Sequence, residues 1–87
     1  MRLSIVVADS LATIDGITCP GLDLSFIPAD VHALQWYDTL GEIEFKRQIV
    51  DGKFFHPENQ VVNTLPDWAT QTITLWEAAK AAADLAR

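Results

Sequence analysis

Cys19, His32 and His56 are the side chains best suited to nucleophilic or metal chemistry, and their spacing serves neither. A thiolate nucleophile needs a neighbouring base or a helix N-terminus. The run Thr-Cys-Pro-Gly puts Cys19 near the end of a hairpin strand, with neither histidine tied to it. Free cysteines commonly pack as small apolar side chains, and a structural role is the expectation here. Zinc sites draw three or four ligands from short spacings, which one Cys and two separated His do not make; His32 is expected at the rim of the sheet. Glu42 and Glu44 are a closer pair, alternate residues on one face of a strand and about 7 Å apart. They fall on the polar side of a hairpin, without the burial that raises a carboxyl pKa for acid/base work. Nor is there a Gly-rich phosphate loop, a nucleophile elbow or a paired-His helix motif. The expectation is a non-enzymatic protein without catalytic residues, cofactor or metal.

The elements that position these residues follow from turn chemistry and apolar periodicity. Asp15-Gly16 and Asp51-Gly52 are strong hairpin signals. The first sets Ile14 against Ile17 and Ala12 against Cys19; the second sets Ile49 against Phe54. LSIVVA, from residue 3, is β-branched and strand-like. Leu22, Leu24 and Phe26 alternate with Asp23 and Ser25, the period-2 mark of a half-buried strand, until Pro28 ends it. A third hairpin spans VHALQWYDTLGEIEFK (31–46). Asp38-Thr39-Leu40-Gly41 suits a type I turn, which pairs Tyr37 with Glu42, Trp36 with Ile43 and Leu34 with Phe45. Leu34, Trp36, Ile43 and Phe45 then share one face with His32 at its far end, and Gln35, Tyr37, Glu42 and Glu44 share the other.

After Pro57 the pattern turns helical. Thr64 and Asp67 suit a capping box around Pro66, and residues 65–86 read as a helix of about 22 residues, roughly 33 Å long. Leu65, Trp68, Leu75, Trp76, Ala79 and Ala83 mark its apolar face. The expected fold class is α+β: a small antiparallel β-sheet of about five strands built from hairpins, followed by one long C-terminal helix. Residues 1–87 form a single domain, β-rich over 1–56 and helical from 64. Trp36, Phe45, Trp68 and Trp76 are expected to fill its core, each aromatic burying about 150–250 Å².

The chain has a formal net charge of -6, unevenly spread. Residues 1–44 carry Asp9, Asp15, Asp23, Asp30, Asp38, Glu42 and Glu44 against Arg2 alone, whereas acids and bases balance over 45–87. Binding nucleic acid by neutralising phosphates needs a basic stripe, and none is present. The apolar run near residue 3 is too short for a signal or membrane segment, and the lone Cys19 excludes an internal disulfide. A soluble, cytosolic protein, or one packaged from the cytosol, is expected.

Residues 21–46 resemble a group of small proteins encoded in bacteriophages and prophages beside the tail-fibre genes. The likeness rests on Ile27, Pro28, Asp30, Val31, His32, Ala33, Gln35, Trp36, Tyr37, Gly41, Glu42, Glu44 and Phe45. It continues loosely through an Asp-Gly turn to an Ala-rich helix containing Trp76. The resemblance implies a tail-module protein: a fibre-assembly chaperone in the host cytoplasm, or a small component of the virion tail. The partner would be a tail-fibre or tail protein, and no catalytic residues are implied.

Two contact surfaces are expected. One is the outer hairpin face of Gln35, Tyr37, Glu42 and Glu44, where Tyr37 is either contact material or a cross-strand packing residue. The other is the C-terminal helix around Trp76, whose small Ala residues suit a partner or a homo-oligomer. The alternative reading is an acidic inhibitor of a host protein, of the DNA-mimic type, suggested by the charge of residues 1–44.

Overall fold

Leu3 and Ile5 are almost wholly buried and alternate with exposed or half-buried neighbours, the signature of a strand with one face in the core. In the computed structural model, which describes residues 1–86, that strand is the centre of a six-stranded antiparallel sheet. In chain order the strands are β1 (Arg2–Val6), β2 (Leu11–Ile14), β3 (Ile17–Cys19), β4 (Val31–Tyr37), β5 (Leu40–Phe45), β6 (Gln48–Val50), β7 (Lys53–Phe55) and β8 (Gln60–Val62), followed by α1 (Asp67–Leu85). The sheet runs β3-β2-β1-β4-β5-β8, and β6 pairs only with β7 in a separate hairpin. The α+β class and the long C-terminal helix are as expected; β8, short and lying between two prolines, was not foreseen.

Both Asp-Gly turns form with the expected partners, Ile14 opposite Ile17 and Ile49 opposite Phe54. Asp15 and Gly16 (φ 48 and 86), like Asp51 and Gly52 (φ 51 and 76), take the paired left-handed conformations of a type I′ turn. Asp15 also accepts the Arg2 N–H at 2.8 Å, tying the turn to β1.

The third hairpin closes two residues tighter than expected. Tyr37 faces Leu40, Trp36 faces Gly41 and Leu34 faces Ile43. The loop is Asp38-Thr39 alone, with Asp38 at φ 55 and the Thr39 N–H donating to Tyr37 O at 2.7 Å. Gly41 is the reason: it lies in the strand beneath the Trp36 indole, where a side chain would collide. A shift of two preserves the parity of every side chain, so Leu34, Trp36 and Ile43 still face the core. A bulge between Val31 and Ala33 restores Val31 to that face opposite Phe45. His32 is consequently exposed rather than part of the Leu34/Trp36 face.

Residues 22–26 do not form a strand. Their alternation is real in burial, with Leu22 and Leu24 buried and Asp23 and Ser25 exposed, but no neighbouring strand supplies a ladder. The backbone is satisfied locally instead. Leu22 N–H donates to Ser10 O at 2.9 Å, Ser25 N–H to Asp23 Oδ1 at 3.2 Å, and Ile27 N–H to Leu24 O at 3.1 Å. The Ser25 hydroxyl, then its N–H, hold the Asp23 carboxyl below its usual pKa. This segment carries the chain from edge strand β3 to β4 and covers part of the core.

Helix α1 covers the same sheet face. It begins at Asp67 rather than 65, because Pro66 (ψ 153) stays extended and disfavours helix in the residue before it. No side-chain cap forms, so the Thr64–Asp67 capping box is absent; Asp67 instead places a carboxylate in the first turn. Its innermost residues are Ala69, Thr72 and Trp76, with Trp68, Leu75 and Ala79 as half-buried flanks. Ala83, expected on the apolar face, is exposed with the rest of the last turns. Thr72, fully buried, satisfies its hydroxyl by donating to Trp68 O at 2.8 Å. Arg87 of the expected helical region lies outside the described residues.

The Cα radius of gyration is 14.1 Å and the longest extent 51 Å. A compact chain of this length would have a radius of roughly 12 Å. The excess fits the two segments that bury nothing, residues 46–56 and 81–86.

Candidate functional site

With α1 and residues 20–30 on one side, the opposite face of the six-stranded sheet is uncovered. Alternation brings Arg2, Ser4, Thr13, Gln35, Tyr37, Leu40, Glu42 and Val61 to that face. Gln35 is paired with Glu42, Tyr37 with both Arg2 and Leu40, and Val61 with Glu42. Arg2, Gln35, Tyr37, Leu40, Glu42 and Val61 line a shallow cleft of about 440 Å³. Tyr37 is 65% exposed, Val61 60% and Leu40 54%. The cleft thus offers exposed apolar side chains with an amide, a phenol and one charge of each sign, a surface chemistry suited to binding a protein chain.

Of the sequence-derived contact residues, the fold gathers Gln35, Tyr37 and Glu42 around this cleft. Glu44 lies on the same face but half-buried, opposite Ala33 toward the far end of the hairpin, and does not line it. Trp76 is in a different place altogether. It is 9% exposed, and its indole Nε1–H donates to Ile17 O at 3.0 Å. Its ring joins α1 to the edge strand β3 and is buried in the core rather than laid out on the surface of the helix. Leu40 and Val61 were missed. Leu40 was assigned to the turn, and Val61 belongs to a strand too short to announce itself.

A second exposed surface has no counterpart in the sequence reading. Every residue from Lys46 to His56 is exposed, including Ile49 at 70%, Phe54 at 68%, Phe55 at 52% and Val50 at 50%. The Arg47 guanidinium lies over the Phe54 ring, 4.1 Å from its centroid. Apolar side chains gathered on one protruding element, unlike isolated surface leucines, mark interaction sites.

Cys19 is buried in the core. Among the described residues no group of three or more His, Cys, Asp or Glu is arranged to hold a metal ion, and no helix is long and apolar enough to cross a membrane. Comparison with protein-family models, curated proteins and solved structures finds no match to this chain.

Proposed function

We propose that this chain is a non-enzymatic protein of a phage tail module, binding tail-fibre or tail-tip protein as an assembly chaperone or as a small structural component. The observation that carries the reading is Tyr37, 65% exposed on an uncovered sheet face, within the stretch of residues 21–46 that resembles the phage proteins. The open face of Gln35, Tyr37 and Glu42, with Glu44 beyond them, is the contact surface. A chaperone would act in the host cytoplasm and leave the particle; a structural component would stay in the virion tail.

Co-purification with fibre protein tests the binding, and mass spectrometry of purified virions separates the two roles. A fixed copy number identifies a structural component, and absence with retained fibre binding identifies a chaperone. A Tyr37→Ala, Glu42→Lys double variant should lose fibre binding and lower phage yield. If both are unaltered, the open face is not the contact surface.

A further inference from the structure

The β6–β7 hairpin and the open-face cleft lie toward opposite ends of the sheet. The hairpin leaves the sheet after Phe45, which pairs with Val31, whereas the cleft surrounds Tyr37 and Leu40 at the other end of the same strand pair. Among the described residues nothing covers either feature.

An isolated two-stranded hairpin is marginally stable in water. Among the described residues this one pairs with no other strand, and it exposes apolar side chains on both faces. Ile49 and Phe54 oppose each other on one face, with Arg47 stacked on Phe54; Val50 and Phe55 belong to the other. Its charge also sets it apart. Residues 46–56 carry Lys46, Arg47 and Lys53 against Asp51, a net +2 in a chain of net -6, so the remaining residues together carry -8.

We propose that the β6–β7 hairpin docks into the open-face cleft of a second copy of this chain, making a head-to-tail contact. The cleft, about 440 Å³ and lined by the exposed Tyr37, Leu40 and Val61, has the size and chemistry to take the Phe54 and Ile49 side chains. Charge selects this occupant. Hairpin against hairpin would bring two +2 surfaces together, and an anionic membrane or nucleic acid would meet the -8 of the rest of the molecule. A hairpin meeting the body of a second copy instead joins opposite charges, which steers encounter and excludes wrong partners. Locally the cleft carries Arg2 as well as Glu42, with Asp38 beside Tyr37, so the charge effect is one of whole surfaces. Because donor and acceptor surfaces differ, the contact is heterologous and propagates unless rotation closes a ring. It shares Gln35, Tyr37 and Glu42 with the face proposed for the tail partner, so the two interactions would compete; self-association stands without that reading.

Sedimentation velocity on the purified chain tests the proposal with no tail protein present. The average mass should rise above the 9.6 kDa monomer with increasing concentration and fall again as salt is raised. Phe54→Glu in the hairpin and Leu40→Glu in the cleft should each weaken association by about tenfold or more. Val61→Glu serves as a second cleft variant, and circular dichroism checks that each remains folded. Mixed in equal amounts, Phe54→Glu and Leu40→Glu chains should form a dimer that grows no further, since one keeps the cleft and the other the hairpin. A chain monomeric at every concentration, association that survives Phe54→Glu, or a mixture that stays monomeric would each overturn the proposal. So would capture by phosphatidylserine vesicles or single-stranded DNA of a chain that does not self-associate.

Discussion

Gly41→Ala is the most direct test of the register of the β4–β5 hairpin. Gly41 is not among the residues with positive φ, so its requirement for glycine is steric. A Cβ built on it would lie 2.7 Å from Trp36 Cε3, 2.9 Å from Gln35 O and 3.4 Å from Trp36 Cα. Carbon pairs are comfortable at about 3.5–4.0 Å, so the indole would have to retreat by nearly an ångström. It has little room to do so, being 6% exposed and packed in the core. The Gln35 carbonyl is part of the β4 backbone and cannot swing aside.

Overpacking of this kind costs about 1–3 kcal/mol. Replacing a strand glycine returns about 0.5–1 kcal/mol by reducing the freedom of the unfolded chain. The net expectation is a loss of about 1–2 kcal/mol. With a urea m-value of about 1 kcal/mol/M for a small domain, the unfolding midpoint should fall by about 1–2 M. In a Trp36→Leu background the penalty should shrink without vanishing, because the Gln35 carbonyl remains; the cycle isolates the indole contact. An unchanged or raised midpoint for Gly41→Ala would refute the pairing of Gly41 with Trp36.

Gly16→Ala and Gly52→Ala place the same strain, about 1–2 kcal/mol for a left-handed alanine, at φ 86 and φ 76. Global stability should fall for Gly16, whose hairpin belongs to the main sheet, and barely move for Gly52, whose hairpin stands apart; urea unfolding distinguishes them. Trp76→Phe removes the indole donor to Ile17 O and part of a buried ring, and should cost about 1–3 kcal/mol by thermal or urea unfolding. The Asp23 carboxyl is depressed by the Ser25 hydroxyl and N–H, so its contribution is present above its unfolded pKa and lost as pH falls through the lower folded value. Asp23→Asn should therefore lower the melting temperature slightly at neutral pH, where the ionised carboxylate contributes, and flatten its fall below about pH 4.

The reading of the hairpin faces survived an error in the turn because of parity. Expecting a type I turn at Asp38–Gly41 misplaced every cross-strand partner by two residues, yet period 2 kept Tyr37, Gln35 and Glu42 outside. Local chemistry also sufficed at the Asp-Gly turns, where the sequence of the loop determines the pairing. It failed where the outcome depends on distant chain. Leu22 and Leu24 alternate as a strand would, but whether a ladder partner exists is a property of the whole sheet. Trp76 is expected both in the core and at the centre of a contact surface on α1; it is buried, and local sequence carries no sign of which side of α1 meets β3. The second Asp-Gly hairpin was predicted with its correct partners, but nothing in its alternation says that no other strand will join it.

The acidic excess of the N-terminal half acquires a local explanation from the same turns. Asp15 and Asp38 both occupy left-handed positions, a conformation that Asp tolerates better than most side chains. Asp15 also accepts the Arg2 N–H, Asp23 the Ser25 N–H and Asp38 the Met1 ammonium at 2.8 Å. A carboxylate recruited for its short hydrogen-bonding side chain brings its charge with it, whether or not that charge has a partner outside the molecule. These acids are also divided by topology. Asp15 and Asp38 flank the start of β1, whereas Asp9 and Asp30 lie beyond its other end. A mimic of a nucleic-acid backbone needs its charges in a row, and net charge alone is a weak reason to infer one here. The same division leaves Glu42 on the open face and the basic hairpin beyond the opposite end, and that separation argues for contact between copies in preference to contact within one.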